Sequence, residues 1–303
     1  MKLTTILAAT DFSECANEAV IRAATIAAAR DVPQLEVLHV VNRGTLNGLR
    51  KLLQASPAEA EKQLVEEAEV AVRHLTEKLA REHGITVTGS VEVGNVAATI
   101  VSHAESIDAS LIVLGVRGAN LLREILLGTT AEKVIRRSTR PLLVVKTRPD
   151  MPYGNALVPV DFSAHSRDAF EVCRELVGPH ARVNILHAYE IPFESKLQYA
   201  GLDEETIRQY RSGSKQEAEA ALRQFASDEG AIGRNIHLLV AHGYPPKVIR
   251  ENEQEIGADL IAIGKHGESK MEDLLVGSVS EHALERSDCD VLIAGRAHAG
   301  GKH

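Results

Sequence analysis

The stretch Leu111-Ile112-Val113-Leu114-Gly115-Val116-Arg117-Gly118, then residues 119–127, then Gly128-Thr129, decides the fold. An aliphatic run ends on a glycine and a second glycine follows after two intervening residues. After nine intervening residues, a Gly-Thr pair opens a helical pattern. The spacing G-x-x-G-(x)9-G-[S/T] returns 149 positions later as Gly264-Lys265-His266-Gly267, residues 268–276 and Gly277-Ser278, again after an aliphatic run. One such match is within reach of chance. Two at a single offset mark a duplicated unit.

Working outward, each copy sits in the same order of elements. Residues 3–9 are short, apolar and partly β-branched, and Asp11 ends them, as expected of a buried parallel strand. Ser13 then caps a helix whose inner face is Ala16, Ala19, Val20, Ala23 and Ala27. A strand follows at 35–41, then a loop at 42–55. Ser56-Pro57-Ala58-Glu59 opens a long helix with Leu64, Ala68, Val72, Leu75 and Leu79 facing inward, stopped by Gly84. Strands at 85–93, 111–114 and 142–145 alternate with helices at 96–104 and 128–137. Strands alternating with helices mean crossover units, and so a parallel sheet covered on both faces.

Residues 147–152 carry two prolines and no periodic pattern, and read as a linker between a domain at 1–146 and one at 153–296. The order then repeats, with strands at 156–160, 183–188, 236–241, 260–263 and 291–294. Its helices follow Asp161-Phe162-Ser163 and cover 203–228, 246–256 and 277–285. The tail 297–303 has no apolar pattern and predicts no fixed structure. The fold class is α/β: two tandem doubly wound domains, each a five-stranded parallel sheet flanked by four helices.

Composition narrows the function. A net charge of -8 argues against a duplex nucleic-acid binder, and aromatics at 3% with no Trp supply few stacking platforms for single strands. No stretch reaches the ~18 apolar residues that span a bilayer, so no membrane role is expected. Cys15, Cys173 and Cys289 are far apart and in no metal-like spacing, which fits reduced thiols. The apolar start resembles a signal peptide, but its internal twin at 156–163 makes it part of the fold and points to the cytoplasm.

In an open parallel sheet, ligands sit beyond the carboxyl ends of the strands where strand order reverses. Gly115 and Gly264 lie at such ends, while Gly128-Thr129 and Gly277-Ser278 lie at helix starts, where unpaired N–H groups and the helix dipole favour an anion. Arg117 in one half, and Lys265 with His266 in the other, place cationic or titratable groups inside the glycine pair. Asp11 and Asp161 end the first strands and face the same crevice, where a ribose hydroxyl or a divalent cation is within their chemistry. A structural reading stands beside this one: glycines at strand ends also serve as turn and capping devices, and Asp or Ser commonly caps the next helix. His39 and His187 read as core histidines, and the other eleven have no metal spacing.

The order strand, Asp-Phe-Ser, helix, Leu-His, long helix, then G-x-x-G-(x)9-G-[S/T] resembles the universal stress protein family over nearly the whole chain, as a tandem pair. The nine-residue spacer resembles that family's ATP-binding branch. The resemblance implies an adenine-nucleotide α-hydrolase-like fold and ATP as ligand. It implies phosphate contacts from Gly118, Gly128 and Thr129, and from Gly267, Gly277, Ser278 and Ser280. Ribose contacts fall near Gly115 and Gly264. The adenine pocket is lined by Ala9, Thr10, Asp11, Val40 and Val41 in one half, and by Pro159, Val160, Asp161 and Ala188 in the other. The second half has the fuller pattern, Gly277-Ser278-Val279-Ser280; the first reads Gly128-Thr129-Thr130-Ala131, where Thr130 is the substitute hydroxyl. Members dimerise along the fifth strand, an interface that two tandem halves can satisfy within one chain, with a long face left for a homodimer.

No general base is identifiable, and neither half contains the G-x-x-x-x-G-K-[S/T] loop. The expectation is a cytoplasmic, nucleotide-responsive stress regulator. Mg2+ would arrive with ATP at Asp11 or Asp161, and an unknown protein partner would read the loops at 42–55 and 189–201. The alternatives are a weak ATPase or adenylyl transferase, and a nucleotide-free interaction module or binder of another small ligand.

Overall fold

The computed structural model describes residues 2–44, 57–116, 127–147, 151–191, 204–231, 233, 235–267 and 276–295. The expected contacts of Arg117 and Gly118, most of the loops at 42–55 and 189–201, part of the linker, and the tail at 297–303 lie outside these residues.

Short β-branched and leucine-rich runs form the strands because both of their faces are covered. The first half runs β1 (Thr5–Thr10), α1 (Glu14–Ala29), β2 (Gln34–Asn42), α2 (Pro57–His83), β3 (Val87–Gly94), α3 (Val96–Ser106), β4 (Leu111–Gly115), α4 (Thr129–Arg137) and β5 (Leu142–Val145). The second runs β6 (Asn155–Pro159), α5 (Ala164–Val177), β7 (Arg182–Tyr189), α6 (Glu204–Asp228), β8 (Ile236–His242), α7 (Pro245–Ile256), β9 (Leu260–Gly264), α8 (Ser278–Arg286) and β10 (Asp290–Ala294). Each half has five parallel strands and four helices among the described residues, as expected.

The two sheets are one. The strand order β3-β2-β1-β4-β5-β10-β9-β6-β7-β8 makes a single ten-stranded sheet. Its only antiparallel junction among the described strands is β5 with β10, where Val144 faces Val291 and Leu142 faces Ile293. The fifth strands therefore satisfy each other within the chain. Alternation along the strands divides the core into two layers that both cross the junction. Ile6, Ala8, Val113, Val145 and Ala294 face α1, α2, α5 and α6, while Leu7, Ile112, Val144, Val291 and Ile293 face α3, α4, α7 and α8.

A buried ion pair fastens the halves on the first face. Arg22 of α1 lies 3.1 Å from the carboxylate of Asp290, which is fully buried at the start of β10. Tyr153 donates its hydroxyl to the same carboxylate at 2.6 Å. Lys146 and Thr147 donate backbone N–H groups to its other oxygen at 2.8 and 3.0 Å. Burial pushes the Tyr153 phenol well above its ordinary range.

Candidate functional site

In each half the strand order reverses between the first and fourth strands, so the crevice opens beyond β1 and β4 and beyond β6 and β9. Asp-Phe-Ser shapes one wall. Phe12 and Phe162 adopt positive φ, 63° and 67°, a conformation that costs a bulky residue energy and is held by local bonds. The Thr10 hydroxyl accepts the Phe12 N–H at 2.9 Å, and the Asp11 carboxylate accepts the Ser13 N–H at 3.0 Å. In the second half Asp161 accepts both the N–H and the hydroxyl of Ser163, at 3.1 and 2.6 Å.

The phenyl rings then meet the strand histidines. Phe12 lies 4.6 Å from the His39 ring and Phe162 lies 4.4 Å from that of His187. Each imidazole donates Nδ1–H to a strand-end carbonyl at 2.9 Å, Thr10 for His39 and Val160 for His187. These histidines are satisfied structural groups, as the sequence reading held. It missed that each pairs with the phenylalanine of the motif, although Phe12/His39 and Phe162/His187 recur together.

The opposite wall is the glycine loop. Gly264 ends β9, and a Cβ there would lie 2.9 Å from the backbone of His165; at Gly115 it would lie 2.6 Å from the Cys15 carbonyl. These two glycines are required by the close approach of the first helical turn. Gly277 differs. Its dihedrals, φ -61° and ψ 145°, suit any residue, and a Cβ would find only ordinary contacts, the nearest at 3.5 Å. Among the described residues neither backbone nor packing explains the glycine there.

Gly128 and Gly277 are the N-caps of α4 and α8 and offer no side-chain acceptor. By contrast α1, α3 and α5 are capped by Ser13, Asn95 and Ser163. Helix α7 also lacks a side-chain cap bond among the described residues, but prolines occupy its first turn and remove donors. Among the helices whose caps are described, only α4 and α8 thus combine a bare cap with a full set of first-turn amides, the arrangement that receives anions.

The second crevice brings together Asp161, His266, Gly267 and Gly277. A Cβ at Gly267 would lie 3.0 Å from Asp161 Oδ2, and one at Gly277 would lie 3.6 Å from the Gly267 nitrogen and the His266 Cα. The His266 ring meets His165 edge-on at 5.2 Å. Ser278 is exposed and Val279 packs on the core of its face. In the first crevice, Thr129 is exposed and Thr130 half-buried beside buried Gly128. Ala9, Thr10, Pro159 and Val160 are buried at strand ends, and Ala188 is half-buried on β7. Val40 and Val41 turn to opposite faces, Val40 toward α3 and Val41 onto Ala68 of α2.

Two side chains depart from expectation. Ser280 is buried at 3% exposure and donates its hydroxyl to the Gly264 carbonyl at 2.6 Å, so it ties helix to strand. Lys265 sends its ammonium away from its own half. Its ammonium donates to the carbonyls of Arg136 and Ser138 at the end of α4, in the other half, at 3.2 and 3.0 Å. Long side chains at a strand end can reach either way, and the sequence does not reveal the acceptors.

An α/β protein with two bare-capped helix starts at two strand-order reversals belongs to the nucleotide-binding type of doubly wound folds. The sequence model of the universal stress protein family matches residues 2–146 and again 152–295, so the chain belongs to that family. A universal stress protein of Mycolicibacterium smegmatis is 25% identical over 95% of this chain and 96% of its own length. One of Methanocaldococcus jannaschii is 32% identical over 47% of this chain and 94% of its own. The crystal structure of a universal stress protein from Archaeoglobus fulgidus superposes with a TM-score of 0.75 at 24% identity, over 98% of this chain and 100% of that one, a likeness of fold.

Proposed function

We propose that the chain binds ATP in both crevices and acts as a cytoplasmic stress-response regulator whose partner surface depends on the bound nucleotide. Gly277 carries this reading. Among the described residues it is a glycine without a structural cause, at a helix start whose amides point out of the helix end beside Asp161 and Gly267. Backbone there approaches a phosphate closely only if no side chain intervenes.

The magnitudes agree with binding. Charge-assisted hydrogen bonds contribute roughly 1.5–3 kcal/mol each, and a helix terminus about 0.3–2 kcal/mol. Four or five such contacts, set against ~4–15 kcal/mol for association, bracket the roughly -8 kcal/mol of a micromolar binder. Among the described residues no group of three His, Cys, Asp or Glu side chains forms a metal site. A single carboxylate oxygen of Asp161 or Asp11 suits Mg2+ that arrives on the triphosphate and keeps most of its waters. No described helix is long and apolar enough to cross a membrane.

The test is to heat-denature the purified chain and analyse the supernatant by anion-exchange chromatography. Adenine nucleotide in amounts comparable to protein is expected. A nucleotide-free supernatant, together with no retention of added ATP on equilibrium dialysis, sinks the reading.

A further inference from the structure

Lys265 touches both cradle helices. Its carbonyl accepts the N–H of Gly277, the cap of α8, at 2.9 Å, while its buried ammonium holds the last carbonyls of α4. Helix α4 has nine residues, about 13 Å at 1.5 Å per residue. Its other end is Gly128-Thr129, the start of the first crevice. One residue of the second glycine loop therefore grips the far end of the short rod on which the first cradle is built.

Val116, at the repeat-related position, keeps half of this device. Its carbonyl accepts the Gly128 N–H at 2.8 Å, but an aliphatic side chain has no hydrogen-bond donor to offer the opposite helix. The end of α8 is instead held by Lys146, beyond β5 and outside any glycine loop, whose ammonium donates to the Ser287 carbonyl at 2.9 Å. The link from glycine loop to opposite helix runs through Lys265 alone among these three residues.

We infer that Lys265 is a positioning residue that couples the two crevices, so that nucleotide in one strengthens binding in the other. This rests on the ATP reading above. A phosphate seated at α8 fixes residues 264–267 and with them the Lys265 backbone. The ammonium then holds α4 in one place, and the first cradle is already ordered when its own ligand arrives. A cation at a helix C-terminus also favours the dipole that the phosphate meets at the N-terminus. By linkage, ligand in the first crevice helps the second by the same factor.

The experiment is calorimetric titration of the full chain with ATP and Mg2+. In the wild type the second ATP is expected to bind about fivefold more tightly than statistics allow, a modest coupling. In Lys265→Met, which keeps the aliphatic stem, the two events become independent while both sites still fill; Lys265→Arg restores the coupling. A purely structural lysine would change affinity or stability and leave the ratio between the two events alone. Independent binding in the wild type, or coupling that survives in Lys265→Met, overturns the inference and leaves the nucleotide reading standing; one ATP per chain overturns the inference together with the two-site part of that reading. No binding at all overturns the nucleotide reading itself.

Discussion

Ser280 donates its hydroxyl to the carbonyl of Gly264 at 2.6 Å, joining the first turn of α8 to the end of β9. The repeat-related residue of α4 is Ala131, which has no hydroxyl to give. The second cradle is thus cross-braced by a bond that the first cannot form through this position. Ser280→Ala should lower stability by about 1 kcal/mol, the usual net value of one hydrogen bond. Chemical denaturation measures it, and an unchanged midpoint would remove the brace from the account.

The glycines separate by cause, and substitution tells them apart. Gly264→Ala places a Cβ 2.9 Å from the His165 backbone and should destabilise the fold by about 1–3 kcal/mol. The Cβ of Gly277→Val meets only ordinary contacts among the described residues, and the variant should stay folded while the second crevice loses nucleotide. Thermal melts beside binding titrations check both. Equal destabilisation of the two variants would mean that Gly277 is structural after all.

Asp290 is fully buried against Arg22 and Tyr153. Removing one partner of a buried pair leaves the other charge uncompensated, at a cost of about 3–5 kcal/mol. Asp290→Ala should show that loss in urea denaturation, and Arg22→Met combined with it should recover part. If the double variant is no more stable than the single one, the pair is not what fastens the halves.

A partly buried triad sets a pH dependence in the first half. His103 Nδ1 lies 2.5 Å from Glu92 and Nε2 lies 2.7 Å from Glu36, which also accepts the Ser90 hydroxyl at 2.6 Å. Burial lowers the His103 pKa, but the hydrogen bonds and charges of Glu36 and Glu92 outweigh it, and the result is raised. A histidine held protonated in the fold contributes stability fully below its unfolded value of about 6.5 and loses it as pH rises through the raised value. Unfolding free energies at pH 6 and pH 8 should therefore fall in the wild type by more than in His103→Gln. Equal pH dependence in both proteins would rule the triad out as the source.

The glycine spacing, the Asp-Phe-Ser turns and the aliphatic runs made the duplication and the sequential order of strands and helices within each half legible, because each is a local pattern. What stayed hidden is set by distant partners. Asp290 reads as a polar residue opening a strand until Arg22, Tyr153 and the Lys146-Thr147 backbone converge on it. Lys265 sits inside the glycine pair by sequence, yet acceptors 129 and 127 residues away draw its ammonium across the junction. Fusion of the two sheets was foreseen only as an option, since an exposed strand edge accepts a second chain as readily as its own repeat. Pairing of β5 with β10 removes that edge, so a second copy would have to use another surface.

Titration of the purified full chain with ATP and Mg2+, beside its Gly277→Val variant, tests the central claim most directly. The account predicts micromolar binding of two ATP per chain, reduced to one by the substitution while the melting temperature barely moves. Heats no larger than dilution in the wild type, or a variant that binds as its parent does, would contradict it.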